Sequence, residues 1–253
     1  MTSHATLAHS LADAMRSGRA APPGSLDRHA PSIAEAYDAQ AALVHALDER
    51  VAGWKTGFGP DRHPVAAPIV AGLMRRSGAT IALPPDRPVI LEIEIAFRLA
   101  QDLPPRPGRP YSHHEVSQAV EAVLVGAELI AARGGMPSTG TPFPRFVADL
   151  QGNAGYVCGT ETRDFRALDL NALEVTLWID GERVHGAPGG HPQRDPWLPL
   201  VTWANAQCDK LGGLKAGEVI TTGSCTPPRP VDRPCKVRAT VSGIGEVDLT
   251  FVR

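Results

Sequence analysis

A chain of 253 residues with 43% hydrophobic and 21% charged residues carries enough apolar matter for one large core and is far from disordered composition. Its formal net charge of -2 offers no basic stripe for a nucleic-acid backbone, and no apolar run approaches the roughly 20 residues of a membrane span. Cys158, Cys208, Cys225 and Cys235 are scattered without a C-x-x-C pair, which excludes a zinc or disulfide framework.

The segment MTSHATLAHSLADAMRSG lacks the charged start and apolar centre of a secretory signal, so cytoplasmic residence is the expectation. Within it, Leu7, Leu11 and Met15 recur every four residues and predict a helix over Ala5 to Met15. Ser17-Gly18 ends it, and Ala20 to Gly24 reads as a flexible linker. Ser32 and Glu35 have capping-box spacing and open a second helix whose apolar side holds Ile33, Ala36, Tyr37, Leu43, Val44 and Leu47. Gln40 lies within that stripe as a candidate polar contact.

Val51 to Gly59 reads as a strand running into glycines, and it contains Lys55. The chain uses 21 arginines and 4 lysines, and Lys55 is the only lysine among the first 200 residues. A compact ammonium where the chain otherwise prefers a planar guanidinium suggests a point-charge role. Pro60 to Pro88 reads as a loop-rich passage around the apolar patch Ile69 to Met74. Its Gly57 to Met74 part is expected to act as a lid whose apolar residues face a substrate tail.

Leu91-Glu92-Ile93-Glu94-Ile95-Ala96-Phe97 alternates strictly, the primary signal of a strand. Glu92 and Glu94 then share a face about 7 Å apart, with no neighbouring cation in that segment to neutralise them. A solvated strand face would explain the pair; so would a divalent cation, for which oxygen-only ligation suits Mg²⁺ or Mn²⁺. Ser112 and Glu115 open a helix expected to reach about Val123. Beyond it, Glu128 interrupts the apolar run Val123 to Ala132. A carboxylate there is costly to bury unless paired, with Arg133 the nearest partner, or bound to metal, which makes Glu128 the third candidate ligand.

The second half reads mostly as antiparallel β. Leu173, Val175, Leu177 and Ile179 alternate into an Asp180-Gly181 hairpin turn. Trp197 to Leu211 predicts a helix closed by Gly212-Gly213. Glu218 to Thr222 is a strand ending in Gly223-Ser224, donors able to hold a carboxylate. A hairpin through Gly243-Ile244-Gly245 closes the chain. His185 and His191 could serve as acid or base, but both are expected in exposed loops.

Taken in order, several of these pieces resemble the fumarylacetoacetate hydrolase superfamily, most of all its 2-keto-4-pentenoate hydratase and 4-oxalocrotonate decarboxylase branch. The matching pieces are Val51 to Gly57, Leu91 to Phe97, Gly126-Ala127-Glu128 with Arg133, Val147-Ala148-Asp149, Leu200 to Asn205, Leu214 to Glu218, Thr222-Gly223-Ser224 and Ile244-Gly245. The resemblance implies an α+β fold, a mixed β-roll with a helical N-terminal segment, divided as a cap over 1–50 and a catalytic domain over 51–253. It implies Mg²⁺ or Mn²⁺ on Glu92, Glu94 and Glu128, with Lys55 and Asp149 as catalytic residues. Gly57, Thr222, Gly223 and Ser224 would contact substrate.

The implied reaction is hydration of a 2-hydroxy-2,4-dienoate or its 2-keto tautomer in aromatic-compound catabolism, by a homo-oligomer without nucleic-acid or membrane partners. A 2-keto acid decarboxylase, an acylpyruvate C–C hydrolase and a catalytically inactive partner subunit are the alternatives. Three departures bear on the choice. Ala71-Gly72-Leu73 stands where an acidic residue is usual, Leu150 follows Asp149 where an asparagine is usual, and His191 to Pro196 resembles an insertion.

Overall fold

Strand segments dominate the computed structural model, which describes residues 3–26 and 32–253. Two helices come first, α1 (Ser3–Ser17) and α2 (Ile33–Leu47), each running as its apolar spacing dictates. The Ser32 hydroxyl accepts from the Glu35 N–H at the start of α2, and Asp48 in the left-handed region ends it. The Ala20 to Gly24 segment is not a free linker. Its Ala20 N–H donates to Asp86 and its Ala21 N–H to the Arg133 carbonyl.

The next strands are β1 (Val51–Phe58), β2 (Pro64–Val70), β3 (Met74–Arg76), β4 (Ala79–Ala82) and β5 (Val89–Leu99). After α3 (His113–Gln118) come β6 (Val120–Ile130), α4 (Phe143–Ala148), β7 (Asn153–Thr162), β8 (Glu174–Ile179) and β9 (Glu182–Pro188). The chain finishes with α5 (Trp197–Ala206), β10 (Val219–Ser224), β11 (Arg229–Val231), β12 (Cys235–Val241) and β13 (Gly245–Val252).

The larger sheet has the order β2-β1-β10-β5-β6-β7-β3, with β11 also paired to β5. Its two outermost strands, β2 and β3, are joined by only Ala71–Leu73, so the sheet must curl until its ends meet. The result is the mixed β-roll of an α+β fold. The smaller sheet, β4-β13-β12-β8-β9, packs through β13 against β6 and β7.

Trp203 of α5 sits between Tyr37 of α2 and Trp54 of β1, at ring-centroid distances of 5.8 and 6.4 Å. Buried Gln40 donates to the carbonyls of Ala66 at 3.2 Å and Val147 at 2.7 Å, tying α2 to β2 and α4. Leu7, Leu11, Tyr37 and Leu43 belong to the same buried cluster as Ile93, Phe97 and Trp203, so the N-terminal helices share the core of the roll.

Several expectations change. Pro64 to Val70 is no loop but a strand paired along β1, and Ile69 and Val70 are buried, which removes the greasy lid. Helix α3 stops at Gln118 because the β-branched run that follows finds a full antiparallel partner in β5. Helix α5 stops at Ala206, where the Gln207 side chain takes the Ala204 and Leu103 carbonyls. The Asp180-Gly181 and closing hairpins form as expected.

The two sheets meet closely at Gly159, where an added Cβ would stand 2.3 Å from the Glu246 carbonyl oxygen, 2.7 Å from Val247 Cβ and 2.9 Å from the Val125 carbonyl oxygen of its own sheet. The obstacles are two backbone carbonyls and a Cβ fixed to the backbone, so none can swing aside. Gly159→Ala is expected to destabilise the fold by about 1–3 kcal/mol, measured as a lower urea midpoint at unchanged slope.

Candidate functional site

Alternation along each strand decides what faces the interior of the roll. Glu92 lies opposite Glu128 across β5 and β6, Glu94 lies opposite Gly126, and Glu128 lies opposite Tyr156 on β7. On the other side, Lys55 of β1 pairs with Thr221 of β10 and with Ala67 of β2. One end of the interior is therefore acidic. Below it Ile69, Ala96, Leu124, Tyr156 and Val219 form a separate apolar plug.

At the acidic end, one carboxylate oxygen from each of Glu92, Glu94 and Glu128 lies within 4.8 Å of the others. Glu94 and Glu128 are buried at 1% and 2% exposure, and Glu92 is partly buried. Lys55 Nζ stands 3.1 Å from Glu128 Oε1 and donates to the Gln151 carbonyl at 3.1 Å. Burial first, then Glu128 nearby, raises the Glu92 carboxyl to about 7, against the pull of Lys55. The same causes, with Glu92 added, hold Glu94 well above the ordinary carboxylate range, although the Gly223 N–H opposes them.

This donor set fits a hard divalent cation. All candidate ligands are oxygens, and Glu94 Oε2 is buried with no hydrogen-bond partner. The site opens into a cavity of about 200 Å³ lined by Lys55, Thr56, Thr221 and Gly223 at its polar end and by Gln151, Ile130 and Phe146 beyond.

The strand ends are held by specific contacts. Gly223 has φ +131°, and a Cβ there would press on Pro192 and on His191 Nε2. His191 is buried, not exposed: its Nε2–H donates to the Thr222 carbonyl at 3.0 Å while Nδ1 accepts from the Gln193 N–H. Leu150, Gln151 and Gly152 have φ of 50°, 51° and 69°, a left-handed turn that side chains adopt only at a cost of about 1–2 kcal/mol each. That turn presents to Lys55 the carbonyl on which it rests.

The structure brings together Lys55, Glu92, Glu94, Glu128 and Gly223. It does not bring Asp149, whose carboxylate is fully engaged elsewhere. Asp149 accepts from Arg133 N and Nε, both at 2.6 Å, and from Gly134 N at 3.0 Å, and it is completely buried away from the cavity lining. Arg133 thus serves Asp149, not Glu128. Thr222 and Ser224 are absent from the lining because alternation turns them away from Thr221 and Gly223, and the Ser224 hydroxyl is spent on the Thr226 turn. Gly57 lies beyond the lining, with open space where a Cβ would stand. Thr221, Gln151, Phe146 and Ile130 were not singled out by the sequence. Ile130, two positions from Glu128 on one strand, was open to the same alternation argument.

The pattern of the Fumarylacetoacetate (FAA) hydrolase C-terminal family matches residues 45–252, and the chain belongs to that family. A 2-keto-4-pentenoate hydratase of Paraburkholderia xenovorans (strain LB400) is 29% identical over 257 residues, covering 96% of this chain and 93% of that protein. A 2-hydroxyhexa-2,4-dienoate hydratase of Comamonas testosteroni is 26% identical over 95% of this chain and 94% of its own. Among solved structures, the 4-oxalocrotonate decarboxylase of Pseudomonas putida G7, complexed with magnesium and adipate, superposes with a TM-score of 0.84 at 21% identity, over 98% of this chain and 97% of that one.

Two outcomes follow from the charges. A carboxyl group raised to about 7 favours the metal-free fold while protonated, fully so below its ordinary value of 4.5, and that stability is lost as pH rises through 7. Mn²⁺ must displace those protons, so its affinity, measured by calorimetry in buffers of different ionisation enthalpy, should rise between pH 5.5 and 7.5 with proton release. For the Arg133–Asp149 pair, Asp149→Asn leaves a buried guanidinium without its charge partner. It should cost about 3–5 kcal/mol in urea unfolding while Mn²⁺ affinity stays at the wild-type level.

Proposed function

We propose that this member of the family is a metal-dependent hydro-lyase that adds water to a 2-hydroxy-2,4-dienoate or its 2-keto-4-enoate tautomer. The observation that carries the reading is the gathering of three carboxylates around one point, beside a buried lysine, in the lining of one small open cavity. The relatives named as hydratases support the reaction, since they align along nearly the whole chain.

Glu92, Glu94 and Glu128 would hold Mg²⁺ or Mn²⁺, as oxygen ligation favours. When bound, that cation supplies Lewis-acid stabilisation of the charge that develops as a 2-keto acid enolises. The chain's own groups do the rest. An ammonium has three donors; Lys55 spends one on Glu128 and one on the Gln151 carbonyl, which leaves one for a substrate oxygen or for carrying a proton. The Gly223 N–H favours the ionised form of Glu94 against the burial that opposes it, and His191 fixes the peptide that presents it. Proton transfer is not assigned to Asp149, which Arg133 occupies.

Decarboxylation is the second reading, favoured by the likeness of fold to the P. putida decarboxylase. In either case the enzyme is taken to work as a homo-oligomer in the cytoplasm, which sedimentation and fractionation measure.

Incubation with Mn²⁺ and 2-hydroxypenta-2,4-dienoate should give a 4-hydroxy-2-keto acid by NMR, one water heavier than the substrate. Release of CO₂ from a 2-keto-3-enedioate, with no hydration of the dienoate, would replace hydratase by decarboxylase. Lys55→Met should lower kcat by about 10²–10⁴-fold. Glu94→Gln should weaken Mn²⁺ at least about tenfold, and wild-type affinity in that variant would remove the glutamates from the metal site.

A further inference from the structure

We infer that the cavity selects substrates with an uncharged tail: a monocarboxylic 2-hydroxy-dienoate or 2-keto acid with a short hydrocarbon end, over one that ends in a second carboxylate. The inference rests on the proposed function and names the substrate class of that site.

The lining changes character along its length. Its polar end is made by Glu92, Glu94, Glu128, Lys55 and Thr221, and beyond Glu128 the same face of β6 reaches Ile130. Phe146 of α4 lies on the same side as Ile130, since a Cβ at Gly152 would stand 2.9 Å from Ile130 Cγ2 and 3.1 Å from Phe146 Cε2. It is held by the ring of Phe143, 6.4 Å away. Gln151, next to Gly152 in the left-handed turn, also lines the cavity, and its Nε2 is buried without a partner. The far wall thus offers two apolar side chains and one neutral donor. An amide can serve a water or an uncharged oxygen, but it cannot neutralise a carboxylate.

Charge balance points the same way. Among the described residues Lys55 is the only cation on the lining, and two of its donors are already used. With a divalent cation in place, three carboxylates and one ammonium sum to zero. A monocarboxylate brings one negative charge, which the metal end takes. A dicarboxylate brings a second charge to the end where Ile130 and Phe146 would strip its water without giving it a partner.

Among the described residues, the two nearby arginines do not relieve this. Arg133 is bound up with Asp149 and the Asn153 carbonyl. Arg145, next to Phe146, runs beside Gly134 and is not part of the lining. The cavity of about 200 Å³ is also small, which suits a short tail.

The test needs no turnover. Calorimetry at saturating Mn²⁺ and pH 7.5 would compare oxalate, which has no tail, with 2-oxopentanoate and 2-oxopentanedioate, which have the same chain length and differ in the terminal carboxylate. Oxalate should bind, and 2-oxopentanoate should bind at least tenfold more tightly than 2-oxopentanedioate. Phe146→Arg should narrow or reverse that ratio; the wild-type ratio stands as the decisive measurement if the variant fails to fold. Equal affinity, or preference for the diacid, with oxalate still bound overturns the tail selectivity and leaves the metal site standing. Failure of oxalate to bind with Mn²⁺ overturns the site reading and the selectivity together.

Discussion

Three like charges brought close together in a protein interior repel, and most of the site's construction can be read as the means of tolerating that repulsion. Coulomb energies at such separations are several-fold larger inside a protein than in water. The structure answers with Lys55 on Glu128, the Gly223 N–H on Glu94, and raised proton affinity on Glu92 and Glu94. Without metal the charge is relieved mainly by retained protons; a divalent cation would let the three carboxylates ionise together. The rigid frame matters because the carboxylates would otherwise move apart. Glu92 and Glu128 are locked opposite each other by a ladder that runs the length of β5 and β6, and the apolar plug around Tyr156 stops the chains from collapsing inward.

A second layer of contacts explains residues that look incidental. Arg133 and Asp149 join the end of β6 to the turn after α4, and that turn carries both the Lys55 rest at Gln151 and the Phe146 wall. A buried ion pair of this kind is a poor source of net stability but a strict geometric constraint. His191 has a similar relation to β10, where it holds the Thr222 peptide and leaves room for Gly223 alone. Neither residue touches the cavity, yet both set where its polar groups point.

Much of this was legible in the residues. Strict alternation gave the β5 strand and the shared face of Glu92 and Glu94, and compositional isolation marked Lys55. Glu128 stood out as a charge in an apolar run. What failed did so for reasons of tertiary context. Pro64 to Val70 lacks alternation because it is buried in the roll, so its proline-rich sequence read as loop. The partner of Asp149 depends on where Arg133 lands after β6, which no periodicity encodes. Gln151 escaped notice because nothing local announces a left-handed turn built from leucine and glutamine. His191 looked exposed because its burial comes from β10, 31 residues further on.

The parallel pairing of β1 with β10 sets Lys55 beside Thr221, two positions separated by most of the polypeptide. Contacts between such distant residues form late and slowly, since a long loop must be closed before they are rewarded. A nascent chain leaving the ribosome therefore shows its lysine and glutamates long before it can arrange them. An N-terminal fragment that stops before Val219 lacks β10, the strand that joins β1 to β5, and so cannot set Lys55 against the glutamates. Assembly of the centre thus waits on the tenth strand, however early its charged residues are made.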